Sequence, residues 1–111
     1  MNTSKYLEIA ELIRMDIFVK YATGNQLIPS IRSYAQIYHV NPNTISRAFQ
    51  LLEAENIIYS YRTKGYYVSE NIQEKKEGCG KKHAKHLINV LRRLGYSDIE
   101  IENMVKEMVK R

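Results

Sequence analysis

The chain has 111 residues, 44% of them hydrophobic and 26% charged, with a formal charge of +5 and a pI near 9.3. That size allows one modest domain, or one domain with a short accessory, and the balance is that of a folded protein rather than a disordered one. No apolar run nears the roughly 18–20 residues of a membrane span, the first residues lack the apolar core of a secretion signal, and a single cysteine, Cys79, excludes an internal disulfide framework.

A reducing, cytoplasmic location is the resulting expectation. The basic balance invites an anionic partner. Its distribution is uneven: residues 71–111 carry ten Lys and Arg against six Asp and Glu, whereas residues 1–70 carry seven against six.

Taken in order, Tyr6, Ile9, Ala10, Ile13, Ile17 and Tyr21 recur at the three-and-four spacing of an amphipathic helix over residues 6–21. Thr3 or Ser4 can cap its start, and Gly24 marks the turn that follows. Ser30 is the expected cap of a second short helix that points Ile31, Tyr34, Ala35 and Tyr38 inward and stops near His39. Asn41 caps a third helix, and Pro42 suits its first position, where the missing N–H costs nothing. This helix, over about 42–55, buries Ile45, Ala48, Phe49 and Leu52, and Asn56 suits the left-handed conformation that ends it.

Two β-type runs, 57–61 and 66–69, flank a short turn with Gly65 and read as a hairpin. Residues 71–81, polar and charged with Gly78 and Gly80, read as a linker. Beyond it, Ala84, Leu87, Ile88, Leu91 and Leu94 form a helical stripe ending at Gly95. Ser97 and Glu100 then match a capping box that opens a last helix with Ile101, Met104, Val105 and Met108 on one face. Lys106, Lys110 and Arg111 sit towards the end of that helix, where the macrodipole favours cations.

The expected fold is therefore mainly α with a small β-hairpin: a winged helix-turn-helix over 1–70, a linker over 71–81 and a two-helix dimerisation tail over 82–111. Such a layout suits duplex DNA, because the major groove admits a helix and presents distinct donor and acceptor patterns. Asn43, Thr44, Ser46 and Arg47 occupy the first two turns of the third helix. Arg32 opens the second, and Arg62, Lys64 and Gly65 form the hairpin tip, where a cation and bare backbone can approach phosphate. Each has a plainer reading: Asn41 and Thr44 as capping groups, Arg47 as a solvated cation, Arg62 and Lys64 as turn residues. Tyr59, Tyr61, Tyr66 and Tyr67 could stack bases, as in single-strand binders, but alternation in a half-buried hairpin accounts for them better. The alternative function is a winged-helix module for protein or RNA contact; against it, no acid precedes Glu53 in the third helix. No nucleophile–base pair, paired carboxylates or phosphate loop can be assembled from the spacing, so no enzyme is expected.

The segment with Pro29, Ser30, Arg32 and Ala35, then Val40, Asn41, Pro42, Thr44, Arg47 and Ala48, then Leu52 with Glu53, and Lys64, Gly65, Tyr66 and Val68, resembles the GntR family. It is most similar to the YtrA-like subfamily, in which two short helices follow the DNA-binding domain. The resemblance implies a transcription regulator, usually a repressor, binding double-stranded operator DNA as a homodimer on a palindromic site. It implies that Arg32 contacts the DNA backbone or a base, that Asn43 and Thr44 face the groove, and that Gly65 is the wing-tip glycine. Three departures stand out. Ser46 occupies a position where many relatives outside the subfamily carry arginine, with Arg47 one place later; Thr63 replaces a first wing glycine; and Leu27 with Ile28 adds a residue before the proline.

The tail helices are too short to bury a core of their own. Leu87, Ile88, Leu91, Leu94, Ile101, Met104, Val105 and Met108 are therefore expected to pair with a second chain, the competing possibility being that they fold back on the winged domain. Cys79, His83 and His86 have metal-ligand chemistry but irregular spacing beside glycines, which falls short of a closed site; no metal or cofactor is expected. The lysines from 75 to 85 are expected to form a solvated face, with added phosphate contacts as the minor alternative.

Overall fold

The computed structural model describes residues 4–62 and 64–110; Thr3, Thr63 and Arg111, invoked above as a cap, a wing departure and a helix-end cation, lie outside them. The described residues form two compact units, 1–76 and 77–111. They contain five helices and one antiparallel hairpin: α1 (Lys5–Lys20), α2 (Ile31–Tyr38), α3 (Pro42–Ala54), β1 (Ile58–Ser60), β2 (Tyr66–Val68), α4 (Ile72–Arg93) and α5 (Asp98–Val109).

In the first unit α1 buries Ile9, Ala10, Ile13 and Ile17 of the expected stripe and adds Phe18, while Tyr6 and Tyr21 at its two ends are only half-buried. It packs on α3, which in turn packs on α2. Ser4 occupies the N-cap position of α1 but its side chain caps nothing. Arg14, nearly buried, ties α1 to the end of α3 through a two-oxygen grip on Glu55 at 2.7 and 2.8 Å. The turn between α2 and α3 follows from three local devices. Ser30 accepts from the Ser33 N–H at 3.1 Å, His39 takes a left-handed conformation (φ 56°) at the C-cap of α2, and Asn41 accepts from the Asn43 N–H at 2.7 Å. Tyr34 crosses the core beneath this turn and donates to Asp16 at 3.0 Å. Burial, and then the Asp16 carboxylate, push its phenol far above the usual range.

Asn56 (φ 60°) ends α3 and sends the chain into the hairpin, whose register pairs Ile58 with Val68, Tyr59 with Tyr67 and Ser60 with Tyr66. The strands are shorter than the β-type runs in the sequence. Leu27 adds a bridge to Tyr67, which gives the wing a third element outside the two sequence runs. The tyrosines pack as hairpin side chains: Tyr66 meets Phe49 edge-to-face at 4.7 Å, and Tyr59 stacks on Tyr67 at 5.7 Å.

Residues 71–81, expected to be a linker, are instead helical from Ile72 onward. Two interior glycines cost about 1 kcal/mol each, but the surrounding Gln, Glu and Lys are good helix formers. Glu77 and Lys81 pair at i,i+4 with 2.9 Å between charged atoms, and Ile72 is buried at the helix start. In the second unit Gly95 (φ 96°) turns the chain, and Ser97 and Glu100 form the complete capping box at the start of α5. Among the described residues of this unit Ile101 alone is buried.

Candidate nucleic-acid interface

Helix α3 has two faces of opposite character. Ile45, Ala48, Phe49 and Leu52 are buried, which fixes the helix against α1 and α2. Asn43 and Arg47 are exposed, and Thr44 and Ser46 are half-buried. The cap at Asn41 leaves the first turn of α3 at the surface, since Asn41, Pro42 and Asn43 are all exposed. Gln50, also exposed, continues the arc of Asn43, Ser46 and Arg47 at helical spacing. That spacing is present in the sequence, three and four residues beyond Arg47 and Ser46, one turn past the residues expected to face DNA.

The structure collects the expected residues into two recesses within the first unit. One, of about 460 Å³, is lined by Asn41, Asn43, Thr44 and Arg47 together with Ser4, Lys5 and Tyr6 from the start of α1. The Arg47 guanidinium carbon stands 4.0 Å above the centre of the Tyr6 ring. Neither Lys5 nor Tyr6 was a candidate from the sequence, where Tyr6 counted as one more member of an apolar stripe. The second recess, of about 560 Å³, brings Arg32 at the start of α2 together with Lys64 and Gly65 of the hairpin tip, floored by Leu27, Ile28 and Tyr66.

Ser46 and Arg62 line neither recess. Arg62 is exposed at the hairpin tip with a left-handed backbone (φ 53°), its guanidinium 5.5 Å from the Tyr61 ring. Gly65 (φ 117°) supplies a conformation that side chains rarely adopt, and the Tyr61 N–H donates to its carbonyl at 3.1 Å to close the tip.

The charges on this surface are available to an anion. Among the described residues, no carboxylate lies within 4.0 Å of Arg32, Arg47, Arg62 or Lys64, whereas Arg14, Lys20, Lys81 and Arg92 are each paired. No carboxylate occurs in α3 before Glu53. The surface therefore offers amide and hydroxyl groups for base edges beside unpaired cations for phosphates.

Elsewhere, Cys79, His83 and His86 lie along α4. Among the described residues, no group of three or more His, Cys, Asp or Glu side chains converges as metal ligands would. No described helix is long and apolar enough to cross a membrane.

Residues 5–68 match the model of the family described as bacterial regulatory proteins, gntR family. The chain is 38% identical over 81 residues to the HTH-type transcriptional repressor YtrA of Bacillus subtilis (strain 168), an alignment covering 69% of this chain and 60% of that relative's length. It is 27% identical over 104 residues to the HTH-type transcriptional regulator YhcF of the same organism, covering 91% of this chain and 86% of the other. Among solved structures, a GntR family transcriptional regulator from Listeria monocytogenes superposes with a TM-score of 0.86 at 28% identity over 96% of both chains.

Proposed function

The chain belongs to the GntR family of bacterial regulatory proteins, and from that premise we propose that it is a sequence-specific transcription repressor seated on a palindromic DNA operator as a homodimer. The observation that carries this reading is the facing of α3. Its apolar side is locked into the core, and its first turns present Asn43 and Arg47, with half-buried Thr44 between them, to solvent with no acid among them. A helix so mounted fits the major groove, where an asparagine amide can bond adenine at two points and an arginine can bond guanine. Ser46 stands ready for a base edge or a phosphate. Arg32, Arg62 and Lys64 take phosphates on either side, and Gly65 lets the wing backbone come close to the duplex. Repression follows the role of the YtrA relative, a transcriptional repressor. A protein with this task works in the cytoplasm, where a bacterial chromosome lies.

The homodimer reading draws on the second unit. Leu87 is 49% exposed, and Leu94 and Met108 are each 69% exposed; Val105 is exposed as well, and Ile88, Leu91 and Met104 are half-buried. With Ile101, these residues give the second unit more apolar surface than it covers. A second copy supplies the same residues in return, in a self-complementary twofold contact. Two such copies present two α3 helices to half-sites about 10 base pairs apart, or a multiple of that spacing.

Selection of bound sites from a random duplex library tests the reading. The expected product is an inverted repeat with that spacing, on which Thr44→Ala and Arg47→Ala each weaken binding by about 1–3 kcal/mol. Enrichment without a motif, or a preference for RNA over duplex DNA, overturns it. A double charge substitution, Leu94→Glu with Met108→Glu, is expected to sediment as a monomer; an unchanged dimer removes the tail from the interface.

A further inference from the structure

Tyr6 is the member of the α1 stripe that does something other than fill the core. The buried part of the helix is made by Ile9, Ala10, Ile13, Ile17 and Phe18, while Tyr6, one residue into α1, is only half-buried. Its ring lies beneath Arg47, at 4.0 Å from the guanidinium carbon to the ring centre. Arg47 itself is exposed on the outward side of α3, and no carboxylate among the described residues holds it. Among the described residues, the ring is the contact that bears on where the guanidinium points.

The chemistry of that contact decides what it can do. A cation over an aromatic face is held by the charge distribution of the ring rather than by hydrogen bonds from its N–H groups. The contact therefore leaves donors free to reach a base or a phosphate. It also removes rotamer freedom that a long, solvated arginine would otherwise lose on binding. We propose that Tyr6 is a positioning residue for Arg47, an aromatic rest on α1 that holds the arginine of α3 in its DNA-ready direction before DNA arrives. The inference rests on the reading that α3 enters duplex DNA.

A double-mutant cycle on the selected operator tests it, using the full chain at fixed salt and an unrelated duplex of equal length as reference. Tyr6→Leu keeps an apolar side chain but removes the ring, and is expected to weaken operator binding by about two- to fivefold, the range of an exposed cation–π contact. Tyr6→Phe keeps the ring and is expected to bind as wild type. In the Arg47→Ala background Tyr6→Leu is expected to add nothing. Wild-type affinity for Tyr6→Leu, tighter binding by it, or an equal loss with and without Arg47 each overturns the assignment; the last would mark Tyr6 as a mere support for α1. Proton NMR of the free protein supplies a reading independent of DNA and of variant folding: the Arg47 side-chain protons are expected upfield in the ring current of Tyr6, and ordinary shifts overturn the inference. If wild type binds the operator and the unrelated duplex alike, the operator reading fails and this one falls with it. If wild type discriminates and Arg47→Ala loses affinity while Tyr6→Leu does not, only the role of Tyr6 is lost.

Discussion

Replacing Gly24 by alanine probes how the wing is held. The segment after α1 runs behind the hairpin: the Asn25 N–H donates to the Val68 carbonyl at 2.7 Å, the Val68 N–H to Gln26 at 2.8 Å, and the Ile28 N–H to Tyr66 at 3.0 Å. The Tyr59 hydroxyl adds a bond to the Asn25 side chain at 2.9 Å. A Cβ on Gly24 would stand 2.6 Å from both the Cα and the carbonyl oxygen of Glu70, and 2.7 Å from the Ser69 oxygen. All three are backbone atoms, so no rotamer change relieves the overlap. Ordinary contact begins at 3.4 Å, so loop and strand must part by most of an ångström, which breaks the first two of these bonds. At about 0.5–1.5 kcal/mol net for each, the loss is about 1–3 kcal/mol, matching the usual penalty of overpacking. For a domain of this size each kcal/mol moves Tm by about 4–8 °C. Circular-dichroism melts at fixed protein concentration are therefore expected to show Gly24→Ala unfolding at least about 4 °C below wild type. Gly78→Ala serves as the control. Its Cβ meets nothing within 4 Å inside α4, and it is expected to stabilise the helix by about 0.5–1 kcal/mol. A Gly24→Ala melt coincident with wild type would refute the docking of the 22–28 segment on the wing.

Three further outcomes are expected. Asn41→Ala removes the acceptor for the Asn43 N–H and is expected to cost about 1 kcal/mol in urea unfolding, with Asn41→Asp restoring most of it; an unchanged midpoint would mean that the cap does not hold α3. Lys64→Ala is expected to weaken operator and unrelated duplex equally and to reduce the slope of log K against log salt by about 1, whereas a selective loss on the operator would move Lys64 from phosphate to base contact. In the α5 capping box, hydrogen bonds from Ser97, its backbone N–H first, hold the Glu100 carboxyl below the usual carboxylate range. That contribution is complete above the ordinary Glu value of about 4.3 and is lost as pH falls through the lowered one. The acid-induced fall in helicity is expected to be shallower for Glu100→Gln, which keeps an acceptor without the titration; superimposable pH profiles would remove the box from the stability of α5.

What the sequence made legible was governed by neighbours along the chain. Asn41 with Pro42, Ser30 alone, and Ser97 with Glu100 each settle a helix start locally, and the structure has all three. The period of Ile9, Ile13 and Ile17 against Ile45, Phe49 and Leu52 gave the packed faces, and with them the outward side of α3. Residues 71–81 depart from expectation within that same local range. Their glycines and charges resemble a linker, but the helix propensity of Lys, Glu and Gln and the buried anchor at Ile72 outweigh them.

Other omissions have a different origin, because they depend on contacts between distant segments. Leu27 joins the wing only because the chain after α1 returns to Tyr67. Tyr6 meets Arg47, 41 positions later in the chain, only because α1 lies against α3 at one particular register. That register is fixed by the buried isoleucines, not by Tyr6. Rotating α1 by a single residue would bring Lys5 or Leu7 towards the place of the ring, replacing an attractive partner for the guanidinium with a like charge or an inert side chain. Periodicity could therefore class Tyr6 as apolar-facing, but its service to Arg47 belongs to the packing of the two helices. Variants in the α1–α3 core that shift this packing should alter operator binding even though they touch no surface residue.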